Sequence, residues 1–115
     1  MTNSASSCFI LNKSEDGDIY FNFLNSEGDI VLISGFYDEK SMAEEAIDDV
    51  KKNSLISQQL AAGRTKDGGQ FFVIKGSNGD ILVKSALYTS QMVMDNALHC
   101  VKDNACVAEV IDNVN

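Results

Sequence analysis

The chain has no proline and a single histidine, and no apolar run approaches the ~20 residues that a bilayer-spanning helix needs. Each absence excludes something. Without proline every main-chain N–H after the first residue is available, so nothing blocks extended segments from pairing in a sheet. The lone His99 has no Gly-x-Ser-x-Gly motif and no nucleophile beside it, which makes it a solvated helix residue rather than a catalytic base. By the third absence, no membrane protein is expected. Cysteine is also scarce: Cys8, Cys100 and Cys106 have no Cys-x-x-Cys spacing, and their odd count fits reduced thiols better than a disulfide framework. With His99 they do not make the spaced set of four ligands a structural zinc site requires, so no metal and no cofactor is expected.

Basic residues are few. Nine Lys and Arg against seventeen Asp and Glu give a net charge of -8, which argues against nucleic acid, where binding rests on cations neutralising phosphates. Residues 1–57 hold four basic and eleven acidic side chains, whereas residues 58–115 hold five and six. The cations of the second part, Arg64, Lys66, Lys75, Lys84 and Lys102, are scattered over different predicted elements rather than gathered in a patch. Met1 to Ser7 are small and polar, with neither a basic start nor an apolar stretch, so no secretory signal is expected and a cytoplasmic location is.

What is present is a repeat of 51 residues without insertion. Asp16-Gly17 returns as Asp67-Gly68, Gly28-Asp29-Ile30 as Gly79-Asp80-Ile81, and Ser34 and Tyr37 as Ser85 and Tyr88. Ala46, Val50, Lys51 and Asn53 return as Ala97, Val101, Lys102 and Asn104. A length of 115 residues is that of one ordinary domain, so repeat 1 (about 8–57) and repeat 2 (about 58–112) are expected to share one core across 1–115.

Within each copy the apolar period changes from 2 to 3.6, the sign of strands followed by a helix. Strands are predicted at Cys8 to Asn12, Ile19 to Leu24 and Ile30 to Ser34, then near Gln59 to Arg64, at Gln70 to Lys75 and at Ile81 to Ser85. Asn78-Gly79 predicts a type I′ hairpin turn, and two-residue loops would pair Phe23 with Leu32, Phe21 with Ser34, Ile74 with Val83 and Phe72 with Ser85. Glu39 to Lys52 carries the stripe Met42, Ala43, Ala46, Ile47 and Val50, repeated by Val93, Met94, Ala97, Leu98 and Val101. Asp38 and Thr89 suit the N-caps, Ser41 and Glu44 offer a capping box for a later start, and Asn53 and Asn104 suit left-handed closing positions. Leu55-Ile56 and Val107 to Ile111 are candidate last strands.

Two tandem copies of strand, turn, strand, Gly-Asp-Ile strand, Ser-x-x-Tyr and a helix ending Val-Lys-x-Asn make residues 8 to 112 resemble the bacterial YegP-like family. Phe9, Phe21, Gly28, Ala46, Ile47, Phe72, Asn78, Gly79 and Ala97 carry the resemblance together with the Ser, Tyr, Val, Lys and Asn of those motifs. It implies an α+β fold of two β-β-β-α-β repeats forming a single antiparallel sheet with two helices on one face, the C-terminal strands exchanged between repeats. Single-repeat relatives would build the same arrangement as dimers. The family has no established activity, so the resemblance implies no functional residues. Leu24-Asn25-Ser26-Glu27-Gly28 departs from the family's Lys-Ala-x-Asn-Gly stretch, to which Lys75-Gly76-Ser77-Asn78-Gly79 is closer.

No constellation of residues points to catalysis, and an enzyme is not expected. Glu44, Glu45, Asp48 and Asp49 read as a solvated helix face, and Gly76-Ser77-Asn78-Gly79 joins two strands rather than opening a helix, so it reads as a turn and not a phosphate cradle. The duplicated Ser34, Tyr37, Ser85 and Tyr88 read first as ties of the strand-to-helix passage and second as a site for a small ligand. The register places Tyr20, Leu24, Val31, Ile33, Phe71, Val73 and Leu82 together on the sheet face opposite Phe21 and Phe72, broken by Asn22, Lys75 and Lys84. Such a face on a soluble protein marks an interaction site, so the expectation is an interaction or accessory module that binds an unidentified protein partner or self-associates.

Overall fold

A computed structural model describes residues 7–114; of the opening stretch read above, 1–6 lie outside the described residues. The fold is α+β, with one mixed sheet of seven strands and two helices. In chain order these are β1 (Cys8–Lys13), β2 (Ile19–Leu24), β3 (Ile30–Ser34), α1 (Lys40–Asn53), β4 (Leu60–Arg64), β5 (Gln70–Lys75), β6 (Ile81–Ser85), α2 (Gln91–Asn104) and β7 (Glu109–Asp112). Across the sheet the order is β4-β5-β6-β3-β2-β1-β7.

The sheet is not wholly antiparallel as expected: β7 lies parallel to β1, pairing Phe9 with Val110 and Ile10 with Ile111. The crossing of strands is also one-sided. Repeat 2 sends β7 to the edge of repeat 1, but Leu55-Ile56 form no strand, and the chain passes through a 3-10 turn (Ser57–Gln59) directly into β4. The sequence numbering explains this. The repeat equivalent of β7 is 58–61, of which 58 and 59 lie in the 3-10 turn and 60 and 61 are already used in β4, itself the equivalent of β1.

Strand alternation places Phe9, Leu11, Ile19, Phe21, Phe23, Leu32, Phe72, Ile74 and Val83 in one buried cluster with Ala43, Ala46, Ile47, Val50, Met94 and Val101 of the helices. Each large side chain there contributes roughly 1.5–3 kcal/mol through burial. Two residues of the predicted helix stripes do not join it: Met42 and Val93 are exposed, because the stripe is narrower than the sequence period alone implies.

The register is as predicted, with Phe23 opposite Leu32 and Ile74 opposite Val83, but the reason differs. Neither hairpin has a type I′ turn. Gly28 N–H donates to the Asn25 carbonyl and Gly79 N–H to that of Gly76, and only the glycine of each turn has positive φ, 89° and 90°. These loops are one residue longer than an aligned two-residue turn, and each is compensated by a bulge that leaves Val31 or Leu82 unpaired. The bulge also corrects the predicted outer face, because the extra residue turns Val31 into the core cluster, only 3% exposed.

The helix ends depart from expectation as well. The N-caps are Glu39 and Ser90 rather than Asp38 and Thr89, and only Ser90 caps with its side chain, accepting from Val93 N–H. Ser41 and Glu44 lie inside α1 and form no capping box. Asn53 and Asn104 are not left-handed; each closes its helix by donating Nδ2–H to the carbonyl four residues earlier, at Asp49 and Cys100.

Candidate functional site

The duplicated serines sit where β3 and β6 leave the sheet. At that point the departing backbone no longer offers a carbonyl to the neighbouring strand, and the hydroxyl takes its place: Phe21 N–H donates to Ser34 Oγ at 2.9 Å, and Phe72 N–H to Ser85 Oγ at 2.9 Å. Each hydroxyl then donates to the next carbonyl, Gly35 at 2.7 Å and Ala86 at 2.8 Å. Three residues on, the main chain of Tyr37 exchanges two hydrogen bonds with Ile19, and that of Tyr88 two with Gln70. Ser and Tyr therefore do hold the passage to the helix, and both serine hydroxyls are committed to main-chain partners.

The tyrosine rings are half-buried against the core. Burial first, and Asp49 second, push the Tyr37 phenol above its ordinary value of 10.0. Tyr88 is raised by burial, then by the Cys100 thiol and Asp29. Cys100 and Asp49 are the same repeat position, so one location carries a carboxylate in repeat 1 and a thiol in repeat 2.

Tyr88 lines a cavity of about 430 Å³ between the β2–β3 turn and α2, with Asn25, Glu27, Asp29, Ile30, Val31, Val93, Asn96, Ala97 and Cys100. Of the four proposed ligand residues it is the one that reaches this space. Ser34 lines a separate shallow depression on the outer face beside Ile33, Ile81, Leu82 and Lys84. The four residues thus do not converge on a shared pocket. The cavity's other walls were not legible in the sequence, since nothing local marks a turn of one repeat as resting on the helix of the other.

The outer face, opposite the core cluster, is built by the register. One row crosses all seven strands through Ile111, Ile10, Asn22, Ile33, Lys84, Val73 and Ala61, each paired with the next. Ile33 is 46% exposed, and Phe36, which meets Tyr20 edge-on at 5.7 Å, is 68% exposed. Tyr20, Leu24 and Phe71 are half-buried, while Leu82, unpaired at the second bulge as Val31 is at the first, is half-buried against the core cluster rather than standing on the outer face as expected. Val73 departs from the expected exposure, being only 6% exposed between Lys84 and Ala61 in this row. Phe71 is held down by its neighbours: a Cβ on Gly63 would lie 2.7 Å from its ring, and Lys84 Nζ sits 5.3 Å from the ring centroid. Phe36 and Leu87, equivalent and both exposed, were missing from the predicted face because they lie just past the strands whose alternation defined it.

His99 is exposed, and Cys8, Cys100 and Cys106 are half-buried free thiols. Burial, aided by Glu109, raises Cys8 above its ordinary value. No helix among the described residues is long and apolar enough to cross a membrane.

Residues 14–58 and 66–112 each match the model of a domain of unknown function, DUF1508. The chain is 34% identical over 94 residues to a UPF0339 protein of Pseudomonas aeruginosa, covering 82% of this chain and 86% of that one. It is 29% identical over 105 residues to the UPF0339 protein YegP of Escherichia coli, covering 91% and 96%. The solution NMR structure of a UPF0339 protein from Shewanella oneidensis superimposes with a TM-score of 0.90 at 28% identity, over 95% of this chain and 92% of that one. That of YegP from Escherichia coli, described as a protein of unknown function, gives 0.90 at 26% identity, over 99% and 98%.

Proposed function

The chain belongs to the YegP-like UPF0339 family of DUF1508 repeats, whose function is unknown, and we propose that it is a non-enzymatic interaction module working through the outer sheet face. The observation that carries this reading is the row from Ile111 to Ala61, with Ile33 and Phe36 exposed at its centre and flank. Both helices pack with the core cluster, so neither of them covers this side. Exposed apolar side chains such as Ile33 and Phe36 gain free energy when a partner removes them from water.

Charge narrows the partner. The face carries Lys75 and Lys84 on a chain whose net charge is -8, so it favours an apolar surface interspersed with carboxylates. Two copies meeting centre to centre would bring their Lys84 ammonium groups together, which disfavours self-association. The test is capture of partners by the wild type, by Ile33→Glu with Phe36→Ser, and by Asp95→Lys on α2. Partners retained by the wild type and Asp95→Lys but lost from the outer-face variant support the reading; partners retained by all three contradict it.

The Tyr88 cavity favours a second reading, binding of a small ligand, which would rest on Tyr88 alone of the four Ser and Tyr residues. Under that reading a metabolite raises the melting temperature of the wild type and not of Tyr88→Phe or Asn96→Leu, while the outer-face variant responds like the wild type.

A further inference from the structure

The two outer strands that begin the repeats have different surroundings. β1 is covered along its free side by β7, in parallel register from Cys8 opposite Glu109 to Leu11 opposite Asp112. β4, the equivalent of β1, ends the sheet, and no strand among the described residues lies beyond it. The side chains record the difference: Phe9 and Leu11 are 0% exposed, whereas their equivalents Leu60 and Ala62 are half-buried and exposed.

A second observation lies beside that edge. A cavity of about 200 Å³ opens between β4 and α2, with Leu60, Ala62, Phe72, Met94, Leu98 and Lys102 among its walls. In repeat 1 the corresponding ground between β1 and α1 is partly filled, since Val110 of β7, 38% exposed, lies opposite Phe9 on the core face and lines a depression with Ile47, the equivalent of Leu98. The cavity beside β4 is where a Val110-like side chain would lie if a strand covered β4 as β7 covers β1.

We infer that the edge of β4 is a docking slot for an extended segment of another protein, which adds parallel to β4 and places an aliphatic side chain in this cavity. The free main-chain groups of an edge strand supply the hydrogen bonds, and the cavity supplies selectivity for the inward residue. Arg64 at the end of β4 and Lys102 at the cavity favour carboxylates in the segment. The pattern that fits is that of β7 itself, Glu-Val-Ile-Asp. A second copy is not the occupant, because its β7 is already paired with its own β1 and held there by the Lys40–Asp112 ion pair.

The test is titration of the ¹⁵N-labelled full chain with a synthetic peptide of the sequence Ala108 to Asn113. The expected result is saturable shifts of the Leu60–Arg64 amides, with binding weakened about tenfold or more when the peptide's valine is replaced by lysine, in line with loss of one buried aliphatic side chain. Ala62→Phe, which fills the cavity, should abolish the shifts while leaving the β1, β2 and α1 resonances in place. Ala62→Ser keeps the cavity and should retain them. The inference is overturned by an absence of β4 shifts at millimolar peptide, by equal binding of the lysine peptide, or by shifts confined to other elements. Concentration-dependent broadening of the β4 amides without peptide would assign the edge to a second copy and equally overturn it.

Discussion

Ile33 and Lys84 are register partners across the β3–β6 junction and are also the same position of the two repeats, 51 residues apart. The pseudo-two-fold axis relating the repeats therefore passes between them, and the flanking pairs, Leu32 with Ser85 and Ser34 with Val83, exchange across it. This is where the halves are closest and where they differ, one aliphatic and one charged. Ile33→Lys would set two ammonium groups opposite each other, whereas Ile33→Glu would set opposite charges there; such cross-strand effects are about 0.2–1 kcal/mol. In urea unfolding Ile33→Lys should be the less stable of the two, by up to about 1 kcal/mol at low salt, with the gap narrowing in 1 M NaCl. An equal stability of the two variants at low salt would contradict the pairing.

The serines at the strand exits should matter to stability in proportion to their burial. Ser85 is 3% exposed, and removing its hydroxyl leaves Phe72 N–H without an acceptor, a loss of roughly 1–3 kcal/mol. Ser34 does the same for Phe21 N–H but is less buried, so water can replace part of its bond. Denaturant midpoints should show Ser85→Ala more destabilised than Ser34→Ala, with both below the wild type.

Asn53 and Asn104 close their helices alike, but Asn53 does more. Its Oδ1 accepts from Gln59 Nε2–H at 3.2 Å, and that same amide donates to the Gly76 carbonyl at 2.7 Å, linking the end of α1 to the β5–β6 turn. Asn53→Ala should cost more than Asn104→Ala, on the order of 1–3 kcal/mol because Asn53 is buried and its loss also removes one acceptor of the Gln59 amide. Thermal unfolding of the two variants checks the order.

The repeat made most of this architecture readable. Strand and helix positions follow from a period that changes at the same place in both copies, and six strands fall within about a residue of their predicted limits. What could not be read is non-local. The parallel placement of β7 depends on which edge is free after the whole sheet has formed, and the lack of a strand before β4 reflects that 60 and 61, which a counterpart of β7 would need, are already in β4. The Phe23–Leu32 register was reached through an incorrect turn type, because a longer turn and the Val31 bulge offset each other. On the outer face, Ile33 lies where alternation put it, while Val31 turned inward at that bulge and Val73 is covered within its row.

The Lys40–Asp112 ion pair joins the first turn of α1 to β7 and should make the hold on that strand depend on pH. Asp112 is lowered from 3.8, first by its hydrogen bond with Lys40, so its contribution is present above that value and is lost as pH falls through the lower folded value. Lys40 is raised from 10.5 by the same bond, so its contribution is present below 10.5 and is lost as pH rises through the higher folded value. Both groups are solvent-exposed, and the effect on global stability should be small. Amide exchange of Glu109–Asp112 at neutral pH should quicken in Asp112→Asn, with little change in β2 or β5.

The central claim, that repeat 2 has an uncovered edge where repeat 1 is covered, is tested most directly by residue-resolved amide exchange in the dilute wild-type protein. The β1 amides that bond to β7 should be protected, and the corresponding outward amides of Leu60–Arg64 should exchange near the rate of an exposed strand edge. Equal protection of those β4 and β1 amides would contradict it.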